Sequence, residues 1–207
     1  EPEPKLSPLL NLPNMLTIAR VAMVPFMQVL FYWESPWRNV ACAGLFFLAA
    51  VTDFLDGFLA RRWKIVSPFG TFLDPVADKL MVAAVLIQLS ARVAAEGWVL
   101  EGGIISLSCG ATLCREISVS ALREWMAEQG ARAAVKVGWL GKCKTALQMA
   151  SLTLLLLVMP GGTPTNVLVN HIALTGLWVS TALGIVSGVQ YFAAAWPYLS
   201  GSKSKGS

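Results

Sequence analysis

The residues best suited to chemistry are four aspartates, and the chain has no others: Asp53, Asp56, Asp74 and Asp78. Asp53 and Asp56 are three positions apart and Asp74 and Asp78 are four apart, so each pair occupies one stripe of a helix. Each pair also falls near the end of an apolar stretch, where a carboxylate is costly unless it is paired or binds a cation. The connection between the two stripes is short and basic, so we expect the two helices to be antiparallel neighbours. If the two stripes face each other, the four carboxylates surround one cavity.

Carboxylate oxygens in this number indicate a site for hard divalent cations, Mg²⁺ or Mn²⁺. Four carboxylates exceed what one Mg²⁺ usually takes from a protein, so we expect two ions about 3.5–4 Å apart. Gly57 and Ala60 lie on the same stripe as Asp53 and lack bulk, which lets a planar or phosphorylated ligand approach the backbone. The alternative for these two small residues is close packing between helices.

The elements that carry these residues belong in a membrane. The chain is 56% hydrophobic and 14% charged, with a mean hydropathy of +0.62, whereas soluble domains carry about 25% charged residues. This composition excludes a disordered chain and argues against a soluble enzyme. The four cysteines show no CxxC spacing, so we expect small buried thiols and neither a disulfide framework nor a zinc site. The predicted fold class is an all-α polytopic membrane protein.

Six stretches approach the roughly 20 apolar residues that a membrane-spanning helix needs. We therefore predict an N-terminal juxtamembrane segment over 1–14, a six-helix domain over 15–200 and a flexible tail over 201–207. The predicted spans are Met15–Trp33, Asn39–Ala60, Phe72–Ala95, Gly103–Met126, Thr145–Met159 and Val167–Trp196.

The distribution of Lys and Arg gives the orientation of these spans. With the adjoining helix ends included, fourteen basic residues fall on the side that holds both termini, and Arg38 and Arg92 fall on the other. Such a bias places the rich side in the cytoplasm or its organellar equivalent. The aspartates lie toward that same side, which predicts an active site at the cytoplasmic-side ends of the helices. The membrane is then a bacterial inner membrane or that of an organelle, plastid or mitochondrion.

A second set of residues is basic: Arg115, Arg123, Lys142 and Lys144. They lie in the inner halves or at the inner ends of the fourth and fifth predicted spans. Arg115 is set well into an apolar span beside Glu116, which ordinary positive-inside charge explains poorly. Because guanidinium groups bind phosphate in a bidentate manner, the set predicts a substrate that bears a phosphate. An ion pair between Arg115 and Glu116 is the alternative.

The aspartates belong to a longer pattern, Asp53-x2-Asp56-Gly57-x2-Ala60-Arg61-x8-Gly70-x3-Asp74-x3-Asp78. It resembles the complete signature of the CDP-alcohol phosphotransferases, with eight fixed residues over 26 positions. The resemblance implies transfer of a phosphatidyl or similar group from a CDP-linked donor to an alcohol, with release of CMP. It also implies two divalent metal ions and a homodimer.

The resemblance also assigns roles to residues. It makes Asp53, Asp56, Asp74 and Asp78 the metal ligands and Asp78 the candidate general base. Asn14 and Thr17 either cap the first helix or help to hold the nucleotide. The residues expected to bind the CDP-lipid are Asn14, Thr17, Gly57, Ala60, Arg61 and Gly70.

Three further stretches are similar to one branch of the family, which joins CDP-diacylglycerol to glycerol 3-phosphate. They begin at Asn11, Arg115 and Gly141. On this branch the acceptor phosphate is held by Arg115, Arg123, Lys142 and Lys144. The expected partners are CDP-diacylglycerol, glycerol 3-phosphate and the bilayer, without nucleic acid.

Other activities stay open at this point. Within the family, the alternatives are synthesis of cardiolipin or of phosphatidylinositol phosphate. Outside it, membrane carboxylates also build cation pathways, so a divalent cation transporter is one rival and a noncatalytic lipid-binding scaffold is another. The transporter is disfavoured because all four aspartates lie toward one membrane face.

Overall fold

The computed structural model describes residues 12–63, 68–95, 99–131, 134, 139–159 and 167–200. These residues form helices joined by short connections, and no strand occurs among them. The predicted all-α class is therefore confirmed. The helices are α1 Leu12–Phe31, α2 Arg38–Trp63, α3 Pro68–Ala95, α4 Val99–Glu128, α5 Trp139–Val158 and α6 Val167–Leu199.

Four of the six predicted spans lie within one of these helices, while the first runs two residues past the end of α1 and the fifth runs one residue past the end of α5. Every helix is nevertheless longer than the apolar stretch that revealed it. The fifth differs most, because α5 begins at Trp139 and not at Thr145. Hydropathy marks the part of a helix that suits lipid, whereas helical hydrogen bonding continues into polar sequence. Lys142 and Lys144 consequently lie inside α5, in its first two turns.

Three helices of the described chain are long and apolar enough to cross a membrane, over Asn14–Phe31, Gly102–Glu128 and Val167–Leu199. A shorter apolar helix covers Cys143–Val158. α2 and α3 have 26 and 28 residues, but they carry the aspartates and flanking cations, which lower their hydropathy. The chain is thus an integral, polytopic membrane protein, and the number of six crossings stays a prediction.

Over the described residues, the helices close into a ring in the order α1, α2, α5, α6, α4, α3. α2 and α3, which we expected to pack as direct antiparallel neighbours, touch only slightly in this part of the chain. The reason is that α1 packs against both of them. α3 and α5 also touch across the ring. The N-terminal parts of α3 and α5 thereby meet the C-terminal parts of α4 and α6.

All six helices contribute side chains to a buried apolar cluster, among them Met27, Phe46, Leu86, Leu156 and Leu177. A smaller cluster joins the C-terminal parts of α4 and α6 and contains Val119, Leu122, Met126, Tyr191 and Ala195. Because lipid tails are as apolar as these residues, close packing rather than burial from water holds such helices together. The smaller cluster fixes α4 against α6 next to the site described below.

At the opposite end, the buried Asn39 amide closes the end of α5. Its Nδ2 donates to the carbonyl oxygens of Leu157 at 3.1 Å and Met159 at 2.6 Å. A helix end leaves its last carbonyls without helical partners, and this is costly where water is scarce. Asn39 therefore locks the start of α2 to the end of α5.

The cysteines are all free thiols, as expected. Cys42 and Cys109 are buried. The prediction of burial is wrong for Cys114, which is exposed on α4, because that position faces outward from the ring, where an apolar side chain suits lipid.

Candidate active site

A cavity of about 180 Å³ lies where α3, α4, α5 and α6 meet. Four of the predicted site residues line it, one from α3, two from α4 and one from α5, although they span 67 positions of the sequence. Its polar lining includes Thr112, Ser120, Thr145 and Gln148. The charged residues of the lining are Asp78, Lys79, Arg115, Glu116, Arg123 and Lys144.

Arg115 is held from two sides. On its own helix, Nη1 donates to Oε1 of Glu116 at 2.6 Å. From α6, the Gly184 carbonyl accepts from Nε at 3.3 Å and the Ser187 hydroxyl accepts from Nη2 at 2.9 Å. The ion pair with Glu116 that was the alternative reading is therefore present. It coexists with a place in the cavity lining, so the two readings do not exclude each other.

Lys144 reaches the same carboxylate from α5. Its Nζ donates to Oε1 of Glu116, and the residue is 4% exposed. Glu116 Oε1 thus accepts hydrogen bonds from two cations on different helices. The cavity wall carries a fixed Arg115–Glu116–Lys144 cluster with one net positive charge.

Small residues of α6 make room for this cluster. A Cβ added to Gly184 would lie 3.5 Å from Cε of Lys144, and one added to Gly188 would lie 3.4 Å from Cγ of Arg115. The stems of both cations therefore run directly along the α6 backbone. No sequence reasoning had assigned α6 to the site, although Gly184, Ser187, Gly188 and Tyr191 recur at helical spacing and share one face.

The acidic part of the site is formed with α1. Nη1 of Arg20 donates to Oδ1 of Asp53 at 2.6 Å. The Arg20 side chain is 2% exposed and that of Asp53 is 46% exposed, so a buried guanidinium holds a carboxylate that is partly accessible to solvent. Nothing in the sequence indicated this contact beyond an arginine inside an apolar span.

Asn14 and Thr17 lie on the same buried face of α1 as Arg20. Because α1 begins at Leu12, neither residue is in the position of a helix cap, and that alternative is wrong. Both side chains are therefore inside the bundle, on the face of α1 that also holds Arg20. Gly70 is also buried, in the first turn of α3.

The remaining predicted site residues lie in helices, but their side chains are outside the described part of the chain: Asp56, Gly57, Ala60, Arg61, Asp74 and Lys142. The convergence of four aspartates is therefore still a prediction. Of the two described aspartates, Asp78 lies within electrostatic range of Asp53, Glu116, Arg20 and Lys79. Among the described side chains, no group of three metal-ligating residues occurs.

Comparison with known proteins gives a consistent result. The family model described as CDP-alcohol phosphatidyltransferase matches residues 10–186. A CDP-diacylglycerol–glycerol-3-phosphate 3-phosphatidyltransferase of Sodalis glossinidius is 47% identical over 186 residues, which is 90% of this chain and 95% of the relative. A protein of the same name from Shigella flexneri serotype 5b is 42% identical over 89% of this chain and 94% of the relative.

A plant protein is similar to nearly as great an extent. A cardiolipin synthase (CMP-forming) of Oryza sativa subsp. japonica is 44% identical over 201 residues, or 96% of this chain. The chain spans 61% of the length of that relative. The chain is thus similar to relatives that carry two different enzyme names.

Proposed function

Because the chain belongs to the CDP-alcohol phosphatidyltransferase family, we propose that it transfers the phosphatidyl group of CDP-diacylglycerol to glycerol 3-phosphate. The products are phosphatidylglycerophosphate and CMP. The observation that carries the choice of acceptor is the cavity in which Asp78 shares a wall with Arg115, Arg123 and Lys144. A carboxylate beside three cations suits a molecule with a hydroxyl at one end and a phosphate at the other.

The size of the cavity supports a small acceptor. At about 180 Å³ it is below the roughly 300–1,000 Å³ of pockets for drug-sized ligands. Arg115 and Lys144 are held from the protein side, so their remaining N–H groups are available for phosphate oxygens. Arg123 is exposed at the cavity rim, and Lys142 is one position from Gly141 of the lining. We assign these four residues to the acceptor phosphate.

The donor and its metal ions are assigned to the α1–α2–α3 side. The donor set fits a hard dication, because the Asp53 carboxylate is half-exposed and Asp78 lies within electrostatic range of it. Asp56 and Asp74 complete the proposed ligand set for two Mg²⁺ or Mn²⁺ ions. When bound, these ions neutralise charge on the donor pyrophosphate and the departing CMP. Asn14, Thr17, Gly57, Ala60, Arg61 and Gly70 are assigned to the CDP-lipid.

In the reaction itself, a free hydroxyl of the acceptor attacks the β-phosphorus of the donor, the one esterified to diacylglycerol. A new P–O bond forms, the pyrophosphate P–O bond breaks, and CMP leaves with the bonding electrons. The hydroxyl proton passes to Asp78, directly or through one water. The basic residues hold the acceptor phosphate so that its hydroxyl end points at Asp78, and this orientation lowers the entropic part of the barrier.

The similarity to the rice relative supports a second candidate, formation of cardiolipin with phosphatidylglycerol as acceptor. That acceptor also has a free hydroxyl and a phosphate, but its phosphate is a diester that bears lipid chains. A small, highly charged cavity favours a free phosphomonoester over it.

We place the reaction at the cytoplasm-equivalent face of a bacterial inner membrane or an organellar membrane, and we assign it to a homodimer.

The experiment is an acceptor panel. Purified protein in lipid nanodiscs is given CDP-diacylglycerol and Mg²⁺ or Mn²⁺, and CMP release is measured with glycerol 3-phosphate, phosphatidylglycerol, inositol 1-phosphate and glycerol. We expect glycerol 3-phosphate to give the highest kcat/KM. Preference for phosphatidylglycerol would establish the second candidate, and metal uptake into liposomes without CMP release would establish a transporter.

A further inference from the structure

We propose that Glu116 and Ser187 are positioning residues that together set the orientation of Arg115 and Lys144 toward the acceptor phosphate. The inference rests on the proposed function, because it concerns how that acceptor is held. Neither residue has to touch the substrate. Their role follows from the hydrogen bonds they make to the two cations.

Arg115 and Lys144 have more N–H donors than their described contacts to the protein use. Arginine has five N–H groups and lysine has three. In the described contacts, Arg115 gives three of its five, to Glu116, Ser187 and Gly184, and Lys144 gives one of its three, to Glu116. Each cation therefore keeps two N–H groups for a ligand. This number matches bidentate binding of phosphate.

Glu116 carries the negative charge that lies between the two cations. Arg115 and Lys144 are like charges that approach the same oxygen in a largely buried site, and they repel each other there. The Glu116 carboxylate between them converts this repulsion into two attractive contacts. A buried ammonium that lost its partner would be destabilised, so Lys144 would turn away from the cluster. Glu116 thus holds the cations close enough to act on one phosphate.

α6 holds the Arg115 guanidinium from the side opposite Glu116. The Ser187 hydroxyl accepts from Arg115 and donates to the Gly184 carbonyl at 3.0 Å, and Ser187 is itself 4% exposed. Since the Gly184 carbonyl also accepts from Arg115, one edge of the guanidinium is tied to a single turn of α6. The other edge is tied to Glu116. A guanidinium fixed at both edges cannot rotate without breaking one of these contacts.

The experiment uses two conservative variants, so that charge and position are separated. Glu116→Asp keeps the negative charge but is one methylene shorter, so it cannot reach both cations. Ser187→Ala removes the hydrogen bond from Arg115 and the one to the Gly184 carbonyl, and it changes no charge. Glu128→Asp, on the exposed end of α4, is the matched control. Steady-state CMP release gives KM and kcat for glycerol 3-phosphate and KM for CDP-diacylglycerol, and inorganic phosphate is tested as an inhibitor.

We expect Glu116→Asp to raise the KM for glycerol 3-phosphate at least about tenfold, and Ser187→Ala to raise it about two- to tenfold. The inhibition constant of inorganic phosphate should rise in parallel, while the donor KM stays within twofold. An unchanged or lower acceptor KM in both variants would overturn the inference, since Glu116 would then merely occupy the phosphate site until substrate arrives.

A failure of the proposed function gives a different result. If wild-type protein uses phosphatidylglycerol and ignores glycerol 3-phosphate, the function fails whatever the variants do. Thermal unfolding in detergent checks the fold of each variant. If Glu116→Asp is unstable, the Ser187→Ala result alone decides the inference.

Discussion

The two sides of the site are built in different ways. On the α1–α2–α3 side, the buried Arg20 forms an ion pair with Asp53, whose carboxylate is half-exposed. On the α4–α5–α6 side, Arg115 and Lys144 are largely buried and each is hydrogen bonded by residues from other helices. The acidic side thus presents a half-exposed carboxylate, as a metal site would. The basic side holds two cations in fixed positions, as a phosphate site would.

This difference suggests how each side positions its ligand. Helical spacing places pairs of carboxylates on one face, and a bound divalent ion would hold their oxygens together. A phosphate on a small, mobile acceptor has to be met by donors that already stand in place, because the orientation of the hydroxyl depends on them. Substitutions on the acidic side should thus affect turnover as a whole, and those on the basic side should affect the acceptor selectively.

The largest effect is expected from Asp53→Asn. It removes a ligand charge from the proposed metal site and also the partner of the buried Arg20, so turnover should be abolished. CMP release by the purified variant is measured across a titration of Mg²⁺ and Mn²⁺, with Glu128→Gln as the carboxylate-to-amide control. Activity within a few-fold of wild type would contradict the assignment of Asp53.

Asp78→Asn should come next, because Asp78 lines the acceptor cavity and also lies within range of Asp53. As the general base, its loss should lower kcat by roughly 10²–10⁴-fold and leave donor binding intact. Donor binding and single-turnover rate are measured at two metal concentrations. Weak donor binding that recovers at high metal would instead make Asp78 chiefly a metal ligand.

Arg115→Ala should have a smaller and more selective effect. Loss of a charge-assisted hydrogen bond is worth about 1.5–3 kcal/mol, so the KM for glycerol 3-phosphate should rise roughly ten- to a hundredfold. The donor KM should change little. An unchanged acceptor KM would mean that Arg115 serves only its ion pair with Glu116 and its contacts to α6.

The smallest effect on catalysis is expected at the opposite end of the bundle. Asn39→Ala leaves the carbonyls of Leu157 and Met159 without their amide donor, which costs about 1–3 kcal/mol of stability. Thermal unfolding should show a lower midpoint, while both KM values stay within twofold. Asn39→Asp keeps the size but loses the donor, so it should be destabilised as well. A changed acceptor KM would show that the two ends of the bundle are coupled.

The sequence alone predicted the parts of this molecule that depend on local spacing. The all-α membrane fold and the positions of the helices follow from composition and from apolar stretches within single segments, whereas the convergence of the aspartate stripes stays a prediction. The gathering of Arg115, Arg123 and Lys144 around one cavity could be expected because cations inside apolar helices are costly and converge on a function.

Contacts between distant segments were not predictable in the same way. Ser187 and Gly184 lie about seventy positions from Arg115, and small residues in an apolar helix indicate close packing without naming the partner. The intervention of α1 between α2 and α3 was missed for a related reason. A short connection favours adjacent helices but does not exclude insertion of a third.

The fate of the acceptor tests most directly whether the protein forms phosphatidylglycerophosphate. Wild-type protein in nanodiscs is given CDP-diacylglycerol, divalent metal and glycerol 3-phosphate labelled in its carbon atoms, and both lipid-bound label and free CMP are measured. We expect one labelled glycerol phosphate in lipid for each CMP released, with the phosphomonoester retained in the product. CMP release without label in lipid, or CMP release that begins only after phosphatidylglycerol is supplied, would contradict this reaction.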